Sequence, residues 1–469
     1  MEPYRDDPRV RPFIELMETA DASDPAIRAF VLHLRRLLDG ERGTLARHQM
    51  TPLEKLPDGE ALDAYSRAGR RALAQTVVIK LNGGLGTGMG LESAKSLLPV
   101  KQGLTFLDLI ARQMLALRQN AGVEVPLLLM NSFRTDEESL RRLKLYPDLP
   151  VGGLPLSFLQ NRVPKVREDG LTPAYDPADP DGGWCPPGHG DLYTSLLGSG
   201  ILDSLLDHGY EFAFVSNADN LGASLDTGLL GYMQENGATF LLEAADRTPA
   251  DRKGGHLCVL HNGRLALRES AQTPPEEVDE FQDIAVFRYF NTNNIWLHLP
   301  ALARLLRHHG GVLPLATIVN RKTLDPRDPE SPPVLQLETA MGAAVSLFPD
   351  AAAVRVSRRR FSPVKTTCDL LGVRSDAYQL TTEGLVVLHT SRTLPPTVHL
   401  DPRFYKLVDD FEARFPEGAP SLVACDSLQV EGDVRFDGGV VVRGTAVIEG
   451  GDEPRVVPSG TVIEGTVRL

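Results

Sequence analysis

Cysteine is scarce in this chain: four residues in 469, at Cys185, Cys258, Cys368 and Cys425, and never in a C-x-x-C pair. That scatter argues against a zinc knuckle or a disulfide framework as the organising device, and it suits a reducing compartment. No apolar stretch approaches the roughly 18 residues that a membrane-spanning helix needs. The start, MEPYRDDPRV, has no apolar segment, so neither a membrane partner nor a secretory leader is expected. Positive charge is also in deficit. There are 49 Lys and Arg against 62 Asp and Glu, and the net charge of −13 disfavours nucleic acid as a partner. Together these absences lead us to expect a cytoplasmic protein. They also make a lysine beside a glycine-rich loop informative, because a phosphorylated substrate would need local positive charge against a repulsive overall field.

Two standard phosphate fingerprints are missing as well. VVIKLNGGLGTGMGLESAK (77–95) places five glycines between Gly83 and Gly90, directly after a β-branched run. G-x-G-x-x-G fails because Met89 stands where its last glycine would be, and Walker A fails because Gly88 is followed by Met89 rather than Lys. A tight surface turn is the plain alternative, but so many glycines cost a loop folding entropy. Bare backbone N–H groups pointed at phosphate oxygens explain them better. The loop is therefore read as a nucleotide loop of another kind, with its cation further along at Lys95.

What the chain does contain is ordinary globular material: 42% hydrophobic and 24% charged residues, over a length that suggests about three domains. Residues 1–75 are rich in Leu, Ala, Arg and Glu at helical spacing, as in Phe30, Leu34, Leu37 and Leu38, and read as a helical N-terminal segment. Residues 76–380 alternate short apolar strands (TVVIKL, VPLLLM, LPLSFL, EFAFVS, TFLLEA) with helical patterns at 105–120, 135–145, 191–208 and 225–236. That alternation predicts an α/β domain with a doubly wound, mostly parallel sheet. HLCVLHNGRLAL, with Asn262-Gly263 between apolar runs, predicts a hairpin, taken as an antiparallel appendage. Residues 381–469 lose helix formers. Val and Ile recur between glycines in LQVEGDVRFDGGVVVRGTAVIEG, which suits stacked short strands of a β-helix or, alternatively, a plain antiparallel appendage.

Several segments carry chemistry-bearing residues at predicted strand ends, where ligands of open α/β sheets bind. FVSNADNLG ends a strand in Asn217-Ala218-Asp219-Asn220, so Asp219 is a candidate magnesium ligand or, alternatively, a helix N-cap. PPGHGDLY fixes His189 between Gly188 and Gly190, a setting that suits a structural imidazole as well as a binding one. FNTNNIWL offers Asn291, Thr292, Asn293 and Asn294, groups that both donate and accept as a polyol requires, although a turn would use them too. SPVKTTCDLL sets Lys365 among small residues, where a solvated surface lysine is the default.

KLNGGLGTGMG with its following lysine, MNSFRTDEE (130–138), PPGHGDLY, VSNADNLG, FNTNNIW, QLETAMGAA (336–344) and PVKTTCDLL, in that order, resemble the UDP-glucose pyrophosphorylases (UTP–glucose-1-phosphate uridylyltransferases) of eukaryotic type. The resemblance covers about residues 76–380, and the β-rich tail agrees with it. It implies a nucleotidyltransferase domain of GT-A or Rossmann-like type and a C-terminal left-handed β-helix. The implied reaction is UTP plus glucose 1-phosphate giving UDP-glucose and pyrophosphate, with Mg²⁺. By the same resemblance Leu81, Asn82, Gly83, Gly84 and Lys95 would cradle the UTP phosphates, and Gln160 and Gly188 would hold uracil. Gly83, Gly84, His189, Asn217, Ala218, Asn291, Thr292 and Asn293 would hold the sugar phosphate. Asp219 would bind the metal and touch both substrates, and Lys365, with Lys95, would supply catalytic positive charge at the nucleotide. The chain departs from the pattern at Ser93 and Ala94, where a glycine and a proline are expected, and at Ala218, where a larger aliphatic is expected. A broad UDP-sugar pyrophosphorylase and a non-catalytic nucleotide-sugar sensor are the rival readings. The tail is also the candidate contact surface for a homo-oligomer.

Overall fold

A β-branched, apolar heptad, Thr76–Asn82 (β2 below), forms the strand on which the molecule is organised, and all but one of its residues are buried. The computed structural model describes residues 6–41, 43–176, 179–325, 328 and 330–469. Two amphipathic helices come first, α1 (Arg11–Thr19) and α2 (Asp24–Leu38), the second capped by the Ser23 hydroxyl accepting from the Ala26 N–H. Strand β1 (Met50–Pro52) and helix α3 (Ser66–Ala72) lead into β2. Helix α4 (Phe106–Ala121) starts with a reciprocal Thr105–Asp108 capping box and stops at Gly122 in the left-handed conformation. Then come β3 (Leu127–Asn131), β4 (Ser157–Leu159), β5 (Phe212–Asn217), β6 (Phe240–Asp246), β7 (His256–Leu260), β8 (Leu265–Arg268), β9 (Tyr289–His298) and β10 (Ala351–Arg355).

These strands make one ten-stranded sheet in the order β4-β3-β2-β5-β9-β7-β1, with β6 pairing β9 and β10, and β8 pairing β7. The sheet is mixed, which corrects the mostly parallel expectation. Strands β4, β3, β2 and β5 are parallel neighbours, but β9 runs antiparallel to both β5 and β6. The cause is β9 itself: its asparagine-rich start, read from sequence as a binding cluster or turn, is paired strand. The Asn262-Gly263 hairpin is present as β7–β8, with Gly263 at φ +80°. It is no appendage, since β7 pairs β1 and meets β9 at His256–Phe290. The single helix expected over 191–208 is two, Leu192–Gly198 and Ile201–Asp207, broken where Gly200 takes φ +74°.

In the tail, β11 (Thr397–Leu400), β12 (Ser421–Phe436), β13 (Val441–Val457) and β14 (Val462–Arg468) pair in parallel, with Leu428 beside Ala446 and Val447 beside Thr466. Parallel stacking rules out the antiparallel appendage. The tail's core is continuous with the glycine-loop end of the sheet. Met89, Leu221 and Val364 are buried in one apolar cluster with Tyr405, Phe411 and Leu428, and a Cβ at Gly90 would come within 3.1 Å of Leu407. No helix among the described residues is long and apolar enough to cross a membrane.

Candidate functional site

Strand register decides which residues meet. Asn217 of β5 lies beside Leu81 of β2, Asn82 beside Asn131 of β3, and Asn131 beside Leu159 of β4. The four parallel strands therefore end on one rung, and the loops leaving them converge. They line a cleft of about 280 Å³ with Leu81, Asn82, Gly83, Gly84, Lys95, Gln160, Gly188, His189, Asn217, Ala218 and Asp219. Ser96, Met130 and Pro186 line it too and had been assigned no role.

The loop meets the Gln160 amide at a glycine, Gly83. A Cβ on Gly83 would sit 2.5 Å from the Gln160 side-chain oxygen, whereas a Cβ on Gly84 would meet nothing. Gln160 itself is anchored through its N–H to the Asn131 carbonyl at 2.7 Å. The loop closes where the Lys95 N–H donates to the Gly84 carbonyl at 3.1 Å. That turn aims the Lys95 ammonium at Asp219, with Nζ 2.6 Å from Oδ2 and side chains only 15% and 22% exposed. The other carboxylate oxygen, Asp219 Oδ1, is buried with no hydrogen-bond partner, and so is the Ser96 hydroxyl. Both invite a ligand.

His189 is held from behind. Its Nδ1 accepts the Met341 N–H at 3.0 Å, so in the neutral ring Nε2 carries the proton. Burial pushes its pKa down to about 4, so the ring stays neutral at ordinary pH and can only offer a donor. The clasp is reciprocal: the Thr339 N–H donates to the Pro187 carbonyl at 2.9 Å, and the Gly190 N–H to the Thr339 carbonyl at 2.8 Å. Gly188 is at φ +78°, and a Cβ there would lie 2.5 Å from the Thr339 carbonyl oxygen. The QLETAMGAA stretch thus acts as the backstop for His189. Asp191, pushed up to about 6 by burial although Ser195 and Asn161 donate to it, pins the same turn to Asn161.

Other expected residues lie elsewhere. Asn82 is buried, and its side-chain amide N–H groups donate to Asn131 and Ser139. Asn291, Thr292 and Asn293 do not line the cleft. They form a bulge in β9 opposite Glu243/Ala244, with Asn293 at φ +59° and bonded to Asn291 in both directions, and Thr292 donating to the Glu243 carbonyl. Lys365 is exposed outside it: its N–H caps onto Asp369 and its ammonium lies 5.9 Å from the Phe361 ring centre. Sequence reasoning gave no role to Glu243, Arg360 or Lys80. Glu243 is wholly buried and accepts from Arg360, Asn294 and Trp296. Lys80, inside β2, donates to the Ser216 hydroxyl and the Ala223 carbonyl, and burial with Arg360 nearby lowers its pKa to about 7. A lysine within the apolar run TVVIKL was the one signal in the sequence for this buried charge.

Among proteins of known structure, the chain is similar to a UDP-glucose phosphorylase from Trypanosoma brucei, at 45% identity and TM-score 0.90, covering 98% of this chain and 99% of that one. A variant UDP-glucose pyrophosphorylase from Leishmania major, solved in complex with UDP-glucose, gives 41% identity and TM-score 0.91 over 99% of both chains. The UTP–glucose-1-phosphate uridylyltransferase of Saccharomyces cerevisiae is 44% identical over 84% of this chain and 78% of its own length. The family model for UTP–glucose-1-phosphate uridylyltransferase matches residues 27–443. A single rung of strand ends carrying a glycine loop, a half-buried carboxylate and a clasped imidazole thus has a family to which it answers, and this chain belongs to the UTP–glucose-1-phosphate uridylyltransferases.

Proposed function

We propose that this chain transfers the uridylyl group of UTP to glucose 1-phosphate, giving UDP-glucose and pyrophosphate. The observation that carries the reading is the rung: Gln160 against Gly83, and Lys95 against an Asp219 whose second oxygen has no partner, all in one cleft. Uracil presents acceptor, donor and acceptor along one edge. The Gln160 amide and the Gly188 N–H match it, whereas cytosine would reverse two of those groups. The triphosphate lies along Leu81–Gly84 toward Lys95, and His189 Nε2–H and Asn217-Ala218 face the sugar phosphate. Asn291–Asn293 stay outside the cleft in the β9 bulge, and Lys365 would join the site by a change of side-chain rotamer.

A sugar-phosphate oxygen bonds to the α-phosphorus as the bond from that phosphorus to the bridging oxygen breaks, and pyrophosphate leaves. The attacking oxygen is already anionic, so no residue need act as a base. The residues position two polyanions and hold positive charge where negative charge grows. Among the described residues there is no cluster of three or more His, Cys, Asp and Glu side chains that could hold a metal. One free carboxylate oxygen at Asp219 nevertheless fits Mg²⁺, which commonly takes one or two carboxylates plus phosphates and water. Bound there, Mg²⁺ would neutralise phosphate charge. Lys95 would then move from Asp219 to the phosphates. In the same reading residues 1–75, 76–380 and 381–469 are the N-terminal, catalytic and left-handed β-helical parts of a cytoplasmic enzyme. The test is pyrophosphate release from UTP with a panel of sugar 1-phosphates: glucose 1-phosphate should be the best acceptor, and no release with any sugar would sink the reading.

A further inference from the structure

Lys365 presents a problem: its ammonium is outside the cleft, yet the backbone just before it runs against the Asp219 turn. The Val364 N–H donates to the Asp219 carbonyl at 3.2 Å, and Pro363 forms a β-bridge with Asn220. Lys365 therefore starts one residue from the turn that carries the candidate metal ligand, and a change of rotamer on its four-carbon stem can bring it round. Beside these backbone contacts, one side chain ties the Arg360–Ser362 stretch to that turn. Asn220, 3% exposed, accepts the Ser362 N–H at 2.9 Å and donates to the Arg360 carbonyl at 3.1 Å and to Asn294 Oδ1 at 3.3 Å. Its amide thus bonds the Arg360–Ser362 segment twice and the bulged strand β9 once.

The anchor below it is just as determined. Arg360 forks onto Glu243, with Nε 2.8 Å from Oε2 and Nη2 2.7 Å from Oε1. Glu243 also accepts from Asn294 at 3.0 Å and Trp296 at 2.9 Å. A buried ion pair with all these lone pairs satisfied is rigid, and breaking one member costs far more than a surface contact. We infer that Asn220 is a positioning residue that holds the Lys365 segment against the Asp219 turn, with Arg360–Glu243 as its fixed base. The inference rests on the reading that Asp219 and Lys365 serve uridylyl transfer. It adds a residue that acts through Lys365 without touching substrate.

The test is a double-mutant cycle on kcat for UDP-glucose formation, with thermal melts on every variant. Asn220→Ala should lower kcat about tenfold in the otherwise native chain, with KM for UTP changed by less than about threefold, since the Gln160 side of the cleft is untouched. In the Lys365→Ala background the same change should cost less than about twofold, because the group it positions is gone. Arg360→Lys keeps the charge opposite Glu243 but loses the fork; it should show the same background dependence and stands in if Asn220→Ala does not fold. Equal losses in both backgrounds would overturn the positioning role. A Lys365→Ala enzyme with native kcat would instead overturn the reading of Lys365 on which the inference rests.

Discussion

The parallel and antiparallel halves of the sheet divide the work differently. On the parallel side, β2, β3, β4 and β5 are short, end in register, and hand their chemistry to loops: Gly83, Gly84, Gln160 and Asp219 each stand at or just beyond a strand's carboxyl end. On the antiparallel side, β9 carries its polar residues within the strand, where Thr292 and Asn294 are buried and spent on protein partners. Loops can face a ligand because they leave the sheet, whereas paired strand must satisfy its polar groups internally. The lesson is that similar asparagine-rich stretches, NADN and NTNN, serve different ends. One forms part of the cleft and the other supports it.

The largest effect should come from the parallel half. Asp219→Ala should lower kcat by about 10³ with little loss of thermal stability, since a strand-end carboxylate at the cleft supports little core. Near-native turnover at saturating Mg²⁺ would remove Asp219 from the chemistry. The complementary break is Glu243→Ala, which strands Arg360 without its counter-charge and should cost about 3–5 kcal/mol in stability. Denaturant unfolding measures it. UTP affinity in the folded fraction should stay within about threefold of native, and a large loss there would blur the division between the halves.

Acid should also separate the two halves, with opposite signs. His256 in β7 is fully buried, stacked on Phe287 and beside Arg247 and Arg268, and burial lowers its pKa to about 3. A depressed histidine pKa means the unfolded chain takes up the proton first. Its contribution is therefore present above about 6.5 and lost as pH falls, about 2 kcal/mol between pH 7 and pH 5. Asp191, beside the cleft, is raised to about 6, so its contribution is lost as pH rises through that value and regained on acidification. His256→Phe should flatten the acid limb of stability, and Asp191→Asn should steepen it. Unchanged slopes in Tm against pH would contradict both. The smallest effect is Gln160→Ala, worth about 0.5–1.5 kcal/mol in UTP use for one neutral hydrogen bond, and read as KM for UTP and selectivity against CTP.

What was legible in the sequence follows the same division. TVVIKL, LPLSFL and EFAFVS announce themselves as apolar runs punctuated by the glycines and Asp219, so the parallel half could be read directly, whereas Gln160 and Gly188 came only with the family resemblance. FNTNNIWL could not be read as strand, because four polar residues in a row, Asn291–Asn294, separate its apolar ends and its bulge breaks the alternation. The mixed sheet was therefore missed. So were Glu243 and Arg360, since a buried charge is recognised by its partner and these two are 117 residues apart in the chain. His189 was found from its flanking glycines, but its tautomer depends on Met341, which the sequence does not place beside it.

In the proposed reading the parallel rung seats the nucleotide with uracil against Gln160 and Gly188, and Gly83 leaves room for the Gln160 amide. Calorimetric titration of UTP into the native chain and into Gly83→Val tests it most directly, because a side chain there must displace the Gln160 amide lying 2.5 Å from the first added carbon. The account predicts that UTP binds the native chain more tightly than CTP and that Gly83→Val, still folded by its melt, binds UTP at least about tenfold more weakly, the equivalent of about 1.4 kcal/mol. A folded Gly83→Val that binds UTP as the native chain does would contradict it.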